Sequence, residues 1–596
     1  MLDGVRLLRR SLRWMPGLLA AGPKAHFSAA DLFERRVRRS PRHPFVRFEG
    51  REWSYAEANA AANRIAHWAL ERGIRPGQTV ALLMQNRPEY LFAWLGIAKA
   101  GATTALLHAE ARGPALTHAL RESGARLLLV GEECAESLAS LDPELRAQLE
   151  IHVVADAAQP GLALPPGAKS LDEESAGMSP WNPDRRVRAS VRGGDPLFLI
   201  YTSGTTGLPK AARFSHSRFM GGGTYALLAG FGRRDVLYCA LPLYHTVGGV
   251  MCVNAVLRAG ATLALARRFR ASHFWDEAAE TGATAFQYVG ELCRYLLAQP
   301  PGSHDRAHRV RLAVGNGLRA DVWPVFQERF RIAQIVEFYG ATESNVSMVN
   351  LAGRVGSVGR PAPGMTVALL RWDSASEAPL RTAGGRCVAC ADGETGELLG
   401  RISEGRTAAG RFEGYTSREA SERKILRDVF EPGDAWFRSG DLLRRDADGY
   451  YYFVDRTGDT FRWKGENVST EEVSRALDAF PAVAQSVVYG VEVPGSEGRA
   501  GMAALVLRDG AALDAAALYQ HVEQALPGFA RPAFVRVAPA LDTTSTLKLK
   551  KVALREAGWD PARCTDPIFV RDDVRQAFVP LTPETHASLS AGAARL

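Results

Sequence analysis

Between Tyr201 and Lys210 the chain reads YTSGTTGLPK, a run of small hydroxylated residues and glycines whose N–H and O–H groups can wrap phosphate oxygens. It is not a Walker A loop, which needs a glycine, four residues and then Gly-Lys-Ser/Thr with the lysine opening a helix. Here Gly204 is followed by Gly207, and Lys210 follows Pro209, which lacks an N–H and disfavours a helical conformation at Leu208. The apolar stretch Leu197 to Tyr201 reads as a buried strand, so the run is expected to be a flap over phosphates. Lysine usage is a second pointer. The chain prefers arginine, and its lysines are Lys24, Lys99, Lys169, Lys210, Lys424, Lys464, Lys548, Lys550 and Lys551. Several fall within short motifs, where a compact ammonium on a flexible stem suits a mobile phosphate contact.

These groups need a scaffold. At 596 residues and 46% hydrophobic, the chain can bury a large core and form more than one domain. Helical patterns alternate with short apolar runs at Ala125 to Val130, Pro196 to Tyr201 and Ala261 to Ala266, which argues for α/β layers with largely parallel strands. The stretch 157–194 is rich in Pro, Gly, Ser and Ala and reads as a surface connection. Near Asp455 the run DRTGDTFRWKGENVSTEEV mixes charge and glycine, and Ser469 fits a helix N-cap with Glu472 in the capping-box position. The expected division is therefore a basic segment 1–26, a large domain 27–454 and a small domain 455–596.

The 73 basic and 65 acidic residues leave a formal charge of +8, which suits anionic ligands or a membrane surface. No basic run with interleaved aromatics suggests nucleic acid. The 7 cysteines are odd in number and scattered, as in a cytosolic protein with reduced thiols. Cys387 and Cys390 form a lone CxxC pair without nearby histidines and read as plain thiols, not a zinc site. No apolar run of about 18 residues is present to span a bilayer.

Several separated motifs together carry a resemblance. YTSGTTGLPKAA, LPLYHTVG, FQYVGELCRYL, GNGLR, YGATE, SGDLL and DRTGDTFRWKGENVST occur in an order similar to that of the adenylate-forming acyl-CoA synthetase superfamily, from about Phe27 to Pro580. FQYVGELCRYL, GNGLR and the ending DPIFVRDDVRQAFVPLT resemble its fatty-acid transport protein, or very-long-chain acyl-CoA synthetase, branch. The resemblance implies an α/β fold with a large multi-subdomain N-terminal domain and a small mobile C-terminal lid. It also implies ATP, Mg2+ and coenzyme A, with a fatty acid first converted to its acyl-adenylate and then passed to the coenzyme A thiol.

By the same resemblance, Thr202, Ser203, Gly204, Thr205, Thr206, Gly207 and Lys210 hold the departing phosphates. Gly315, Asn316, Gly317, Tyr339, Gly340, Ala341 and Thr342 hold the adenylate, with Tyr339 against the adenine. Glu343 ligates Mg2+, supported by Thr202. Asp441 accepts the ribose hydroxyls, and Arg456 adds a ribose or phosphate contact. Lys548 matches the adenylation lysine, with Lys550 and Lys551 as the alternatives; Leu547 stands where the wider superfamily usually has Gly, as in the transport-protein branch. Lys464, Gly465 and Glu466 belong to thioester formation, and the lid is expected to rotate between the two steps about Asp455 and Arg456. His245, Gly248 and Tyr288 mark the acyl pocket, the run Val247 to Val250 leaving room for a chain. His245 is expected to line that pocket, since a carboxylate needs no general base near pH 7.

The expected activity is long-chain fatty acid–CoA ligation, with bile-acid or steroid side-chain carboxylates as the alternative substrates. A reading of another class, fatty-acid transport with regulatory nucleotide binding, lacks the spanning helices it would need. A cytoplasmic protein, peripheral on the inner face of the membrane, is expected. Val5, Leu8, Leu12, Met15 and Leu19 form one helical stripe flanked by Arg6, Arg9, Arg10 and Arg13, which suits weak contact with anionic lipid by a helix interrupted near Pro16. Packing of that helix on the protein's own surface is its rival.

Overall fold

The computed structural model describes residues 2–591 apart from 157–164, 204–207, 374–377, 404, 406–407, 464–465, 495, 497 and 545–548. The chain packs into two units. The first contains Met1–Thr366, Gly400–Arg427 and Ala435–Phe437, and the second contains Val367–Leu399, Asp428–Asp434 and Arg438–Leu596.

Two sheets organise the first unit. One has seven strands in the order Lys169–Ser170, Glu150–Val154, Leu127–Gly131, Thr79–Leu83, Thr103–Leu106, Pro196–Ser203 and Pro209–Ser215. Every pairing in it is parallel except the last. The other has nine strands, running from Arg360–Pro361 through Ser347–Asn350, Gln334–Gly340, Leu312–Asn316, Ala285–Val289, Val236–Cys239, Thr262–Leu265 and Pro44–Phe48 to Arg51–Ser54. Its central pairings are parallel. Parallel strands covered on both faces read as unbroken apolar runs. Leu127–Gly131, Val236–Cys239 and Thr262–Leu265 are buried at every position, and two of them coincide with runs visible in the sequence.

The described part of 157–194 is more than a connection. It includes the strand Lys169–Ser170, the helix Leu171–Ala176 and the 3-10 turn Arg185–Arg188. Arg188 is fully buried, with Nη2 3.1 Å from Asp31 and 2.8 Å from Glu34, whose carboxylate also takes Lys99 at 2.8 Å. Composition cannot reveal an ion network whose partners lie over 150 residues apart.

The N-terminal helix Leu2–Ala20 runs through Pro16 without interruption. Bonds on both sides of the proline hold it to the unit, which offsets the backbone bond that Pro16 cannot make. Arg10 Nη1 donates to Leu228 O at 2.9 Å, Arg258 Nη2 donates to Trp14 O at 3.0 Å, and Ser217 Oγ donates to Ala21 O at 2.5 Å. The Trp14 ring meets the guanidinium groups of Arg13 and Arg258, at 4.7 and 5.6 Å. The opposite face stays in solvent, with Leu12 68% and Leu19 58% exposed. Docking and an exposed apolar face thus coexist on one helix.

In the second unit a five-stranded sheet runs Val483–Glu492, Arg499–Leu507, Phe534–Val537, Ile568–Asp572, Ala577–Pro580. It is antiparallel apart from the pairing of Arg499–Leu507 with Phe534–Val537. Its core gathers Val487, Tyr489, Met502, Leu505, Leu518 and Phe534 with Leu477 from the helix Thr470–Asp478. Ser469 caps that helix, its Oγ accepting the Glu472 N–H at 3.3 Å. Among the described residues no helix is long and apolar enough to cross a membrane. All seven cysteines are unpaired; six are buried and Cys390 is half-buried.

Candidate functional site

The flap is a hairpin, not a strand-to-helix turn. Its strands Pro196–Ser203 and Pro209–Ser215 pair with Thr202 opposite Lys210 and Ser203 opposite Pro209. The phosphate-site residues Gly204, Thr205, Thr206 and Gly207 lie outside the described residues. The hairpin's root is fixed by Tyr201, whose hydroxyl donates to Ala119 O at 2.6 Å, and by Ala211, whose N–H donates to Glu122 Oε2 at 3.2 Å. The free edge of Pro209–Ser215 is closed by a segment 200 residues later. Arg213 N donates to Gly414 O at 3.0 Å, Thr416 N donates to Ala211 O at 2.9 Å, and Tyr415 bridges to Ala212. Thr416 Oγ1 reaches the other oxygen of Glu122 at 2.6 Å, and Ser215 Oγ donates to Glu413.

This lacing aims Tyr415 at the expected chemistry. Burial, followed by the Glu343 charge, raises the pKa of its hydroxyl, and Thr202 acts on it in the opposite sense. Glu343 is half-buried just beyond the strand Gln334–Gly340. Beside it, half-buried Arg218 stacks 4.4 Å from the Phe214 ring, donates to Ser344 O at 2.9 Å and is attracted to both Glu413 and Glu343. Two predicted residues, Thr202 and Glu343, therefore both act on one that the sequence reading missed, Tyr415, and Glu343 acts also on a second, Arg218.

Two further motifs of the first unit converge here. Thr342 Oγ1 lies 2.8 Å from Thr246 Oγ1, joining YGATE to LPLYHTVG. His245 packs with Tyr244 and His108 at ring separations of 4.8 and 6.3 Å, and the Tyr244 hydroxyl lies 3.4 Å from His108 Nε2. The glycines after His245 serve a different purpose from the one expected. They sit in a π-helical turn, Thr246–Cys252, where a Cβ on Gly248 would lie 2.4 Å from Pro242 O and one on Gly249 only 1.9 Å from Leu243 O. They permit close backbone approach; the space that side chains would fill is already taken by protein.

Tyr339 is half-buried while Gly340 and Ala341 are exposed, so the tyrosine is not a core residue. Asn316 ends the strand Leu312–Asn316, and its shielded Oδ1 has no hydrogen-bond partner among the described residues. Gly317 has a φ of +80°, the left-handed region that favours glycine. Tyr288, expected in the acyl pocket, is fully buried instead: its ring abuts Gly315, where a Cβ would lie 2.4 Å from it, and its hydroxyl oxygen lies 2.5 Å from Glu337 Oε2. Lys210 is half-buried on its strand.

In the second unit Asp441 and Arg456 stand opposite each other across an antiparallel pair, with Arg456 Nε 3.5 Å from Asp441 Oδ1. Ser439 Oγ accepts the Asp441 N–H at 3.0 Å and donates to Leu398 O at 2.7 Å, which fixes the SGD turn. The neighbouring Asp455 is buried and takes Thr470 N at 2.6 Å and Arg456 N at 2.8 Å; burial raises its pKa, against the pull of Lys551. Lys551 donates to Thr470 Oγ1 at 2.8 Å and pairs with Asp459 at 3.2 Å. Glu466 is exposed on the hairpin Phe461–Trp463/Glu466–Val468, whereas Lys464, Gly465 and Lys548 lie outside the described residues.

The family model described as AMP-binding enzyme matches residues 33–405, and that of the AMP-binding enzyme C-terminal domain matches 472–548. The chain is 44% identical over 528 residues to long-chain fatty acid transport protein 3 of Homo sapiens, covering 88% of this chain and 76% of that one. Over 552 residues it is 42% identical to long-chain fatty acid transport protein 1 of Mus musculus, with coverages of 91% and 83%. Its fold is similar to that of an anthranilate CoA ligase solved in complex with anthranoyl-AMP, with a TM-score of 0.75 at 23% identity, covering 89% of this chain and 97% of that one.

Proposed function

The chain belongs to the AMP-binding enzyme family and to its long-chain fatty acid transport protein branch, and on that premise we propose that it is an AMP-forming ligase joining a long-chain fatty acid to coenzyme A. The observation that carries this reading is the flap hairpin, rooted at Tyr201 and Ala211 and edged by Gly414–Thr416, which sets Tyr415 where the charge of Glu343 acts on its hydroxyl. A carboxylate oxygen attacks the α-phosphorus of ATP and pyrophosphate leaves; the coenzyme A sulfur then attacks the acyl carbon and AMP leaves. Both steps move negative charge between oxygens, so donors fixed beforehand along that path lower the barrier.

Thr202, Ser203 and the flap residues through Lys210 hold the leaving phosphates. Glu343 and Thr202 are hard oxygen donors of the kind Mg2+ takes alongside phosphates and water; bound there, the ion would neutralise phosphate charge. Tyr415 orients both donors and is a positioning residue. Tyr339 covers one face of the adenine, and the partnerless Asn316 Oδ1 suits an exocyclic amino donor. Asp441 takes the ribose hydroxyls while Arg456 steadies it. Lys548 serves the first step, and Lys464, Gly465 and Glu466 the second, the small domain turning between them about Asp455 and Arg456. His245 belongs to the acyl side, whereas Gly248 serves close backbone packing and Tyr288 the core. The N-terminal helix rests its Leu12 and Leu19 face on anionic lipid, where a long-chain acid is concentrated.

The test is a coenzyme A ligation screen over fatty acids of graded length and steroid acids, read by mass spectrometry together with AMP release. Thioester and AMP in equal amounts from long-chain acids support the reading. Thioester from steroid acids alone replaces the substrate class, and nucleotide binding without either product overturns the ligase.

A further inference from the structure

Glu337 lies in the middle of the strand Gln334–Gly340, in register with Gly315 on its parallel neighbour. A charged side chain in the centre of a sheet would ordinarily be paired with a cation. Glu337 is 2% exposed, and its partners are of another kind. Oε1 accepts the backbone N–H of Gly317 and, at 3.2 Å, that of Leu318, while Oε2 faces the Tyr288 hydroxyl at 2.5 Å. The groups that act on it are Tyr288 from the strand Ala285–Val289 and the amides of Gly317 and Leu318; Cys293, in the helix Gly290–Ala298, feels its charge in turn. None of these is a cation.

The amides it grips belong to the turn that follows Asn316. That turn is held from outside as well, since a Cβ on Gly290 would lie 1.7 Å from Gly317 O. Glu337 therefore fixes the donors of the turn from within the sheet, while Gly290 allows its carbonyl to press against the next segment. Neither oxygen is available to a ligand without giving up one of these bonds.

We propose that Glu337 is a positioning residue for the nucleotide, holding the Gly315–Gly317 turn in the conformation that receives the adenine through the amides of Gly317 and Leu318. This rests on the reading of that turn as an adenine site. Glu337 performs the task as a neutral carboxyl group: burial raises its pKa to about 8, and hydrogen bonds only partly offset that. In the neutral form Oε1 still accepts both amides, the acid proton goes to the Tyr288 oxygen, and the Tyr288 proton goes to Val336 O, 3.4 Å away. Once ionised, the carboxylate has no buried cation to pair with, and it regains solvation only by admitting water to the turn.

The experiment measures kcat and KM for ATP in acyl-adenylate formation at pH 7 and pH 9, with melting curves, for the wild type, Glu337→Gln, Glu337→Ala and Asn316→Ala. Losing the acceptor of two buried amides should raise the ATP KM of Glu337→Ala about tenfold or more while kcat changes little. Glu337→Gln reproduces the neutral carboxyl shape and should keep a wild-type KM at pH 7. Between pH 7 and pH 9 the wild-type KM should climb several-fold while that of the glutamine variant stays flat. Parallel pH profiles for the two overturn the proposal, as does an unchanged KM in a folded Glu337→Ala whose Asn316→Ala counterpart has lost ATP affinity. If neither alanine variant changes the KM, the adenine assignment of the turn fails, and the proposal fails with it. Should Glu337→Ala not fold, the comparison of wild type with Glu337→Gln decides alone.

Discussion

Replacing Tyr415 by phenylalanine removes one oxygen and leaves the ring, 5% exposed, in its place beside Ala212. With that oxygen goes its interaction with the Glu343 carboxylate and with Thr202, worth at most one hydrogen bond to each. A buried bond to a charged group contributes about 1.5–3 kcal/mol and a neutral one about 1 kcal/mol. Part of that sum stabilises the resting protein equally well, so about 2 kcal/mol is assigned to the reacting complex, which is about a 30-fold loss of rate at 1.36 kcal/mol per decade. The loss should fall on the adenylation step, to which the proposal assigns Thr202 and Glu343. The assay is single-turnover pyrophosphate release from ATP and a long-chain acid, set against thioester formation from supplied acyl-adenylate, which should slow by no more than about threefold because the phosphates have already left. Adenylation within about twofold of wild type, below about 0.5 kcal/mol, would refute the positioning argument.

Lys548→Ala should abolish adenylate formation yet still convert supplied acyl-adenylate, and Gly465→Trp should do the reverse; equal loss of both steps in both variants sinks the two-pose scheme. Gly249→Ala places a methyl 1.9 Å from Leu243 O and should destabilise the first unit by about 1–3 kcal/mol, read as a lowered urea midpoint, with an unchanged midpoint counting against the close-approach account. The Glu337 proton is bound more tightly in the folded chain, at about pH 8 against 4.5, so its favourable contribution is complete below the lower value and is lost as the pH rises to the higher one. Relative to Glu337→Gln the wild type should therefore lose up to about 5 kcal/mol between pH 4.5 and 8, and a stability difference that does not vary with pH contradicts this. Leu12→Glu with Leu19→Glu should weaken cosedimentation with anionic liposomes without moving the melting temperature, because both side chains point away from the Trp14 docking contacts; full retention on liposomes would remove the lipid role.

The strands were largely legible because parallel strands buried on both faces must be apolar throughout, and Leu127–Gly131 and the Leu197 to Tyr201 part of Pro196–Ser203 stand out that way. Pro209 was equally informative: it forbids a helix at the flap, and the hairpin follows. The Ser469 cap is local chemistry within four residues, and it was read correctly. What escaped was set by pairings distant in sequence. Tyr415 acquires its place only because Gly414–Thr416 lines the edge of Pro209–Ser215, and nothing near residue 415 says so. Glu337 carries a charge, which in a sequence means surface, and only the register with Gly315 places it beneath the turn. The period of the N-terminal helix showed its outward leucines, but Arg258, which donates to Trp14 O, is 244 residues away.

The distribution of thiols has a practical consequence for watching the enzyme at work. Six of the seven sulfhydryls are hidden from solvent, which leaves Cys390 as the accessible handle for a maleimide dye or a spin label. Its Sγ donates to Thr395 O at 3.6 Å, and burial with the nearby Glu394 raises its pKa to about 11, so attachment will be slow at neutral pH and faster in mild alkali. Cys390 belongs to the second unit, so a single probe on the native chain, with no other cysteine removed, would report on that unit alone through a catalytic cycle.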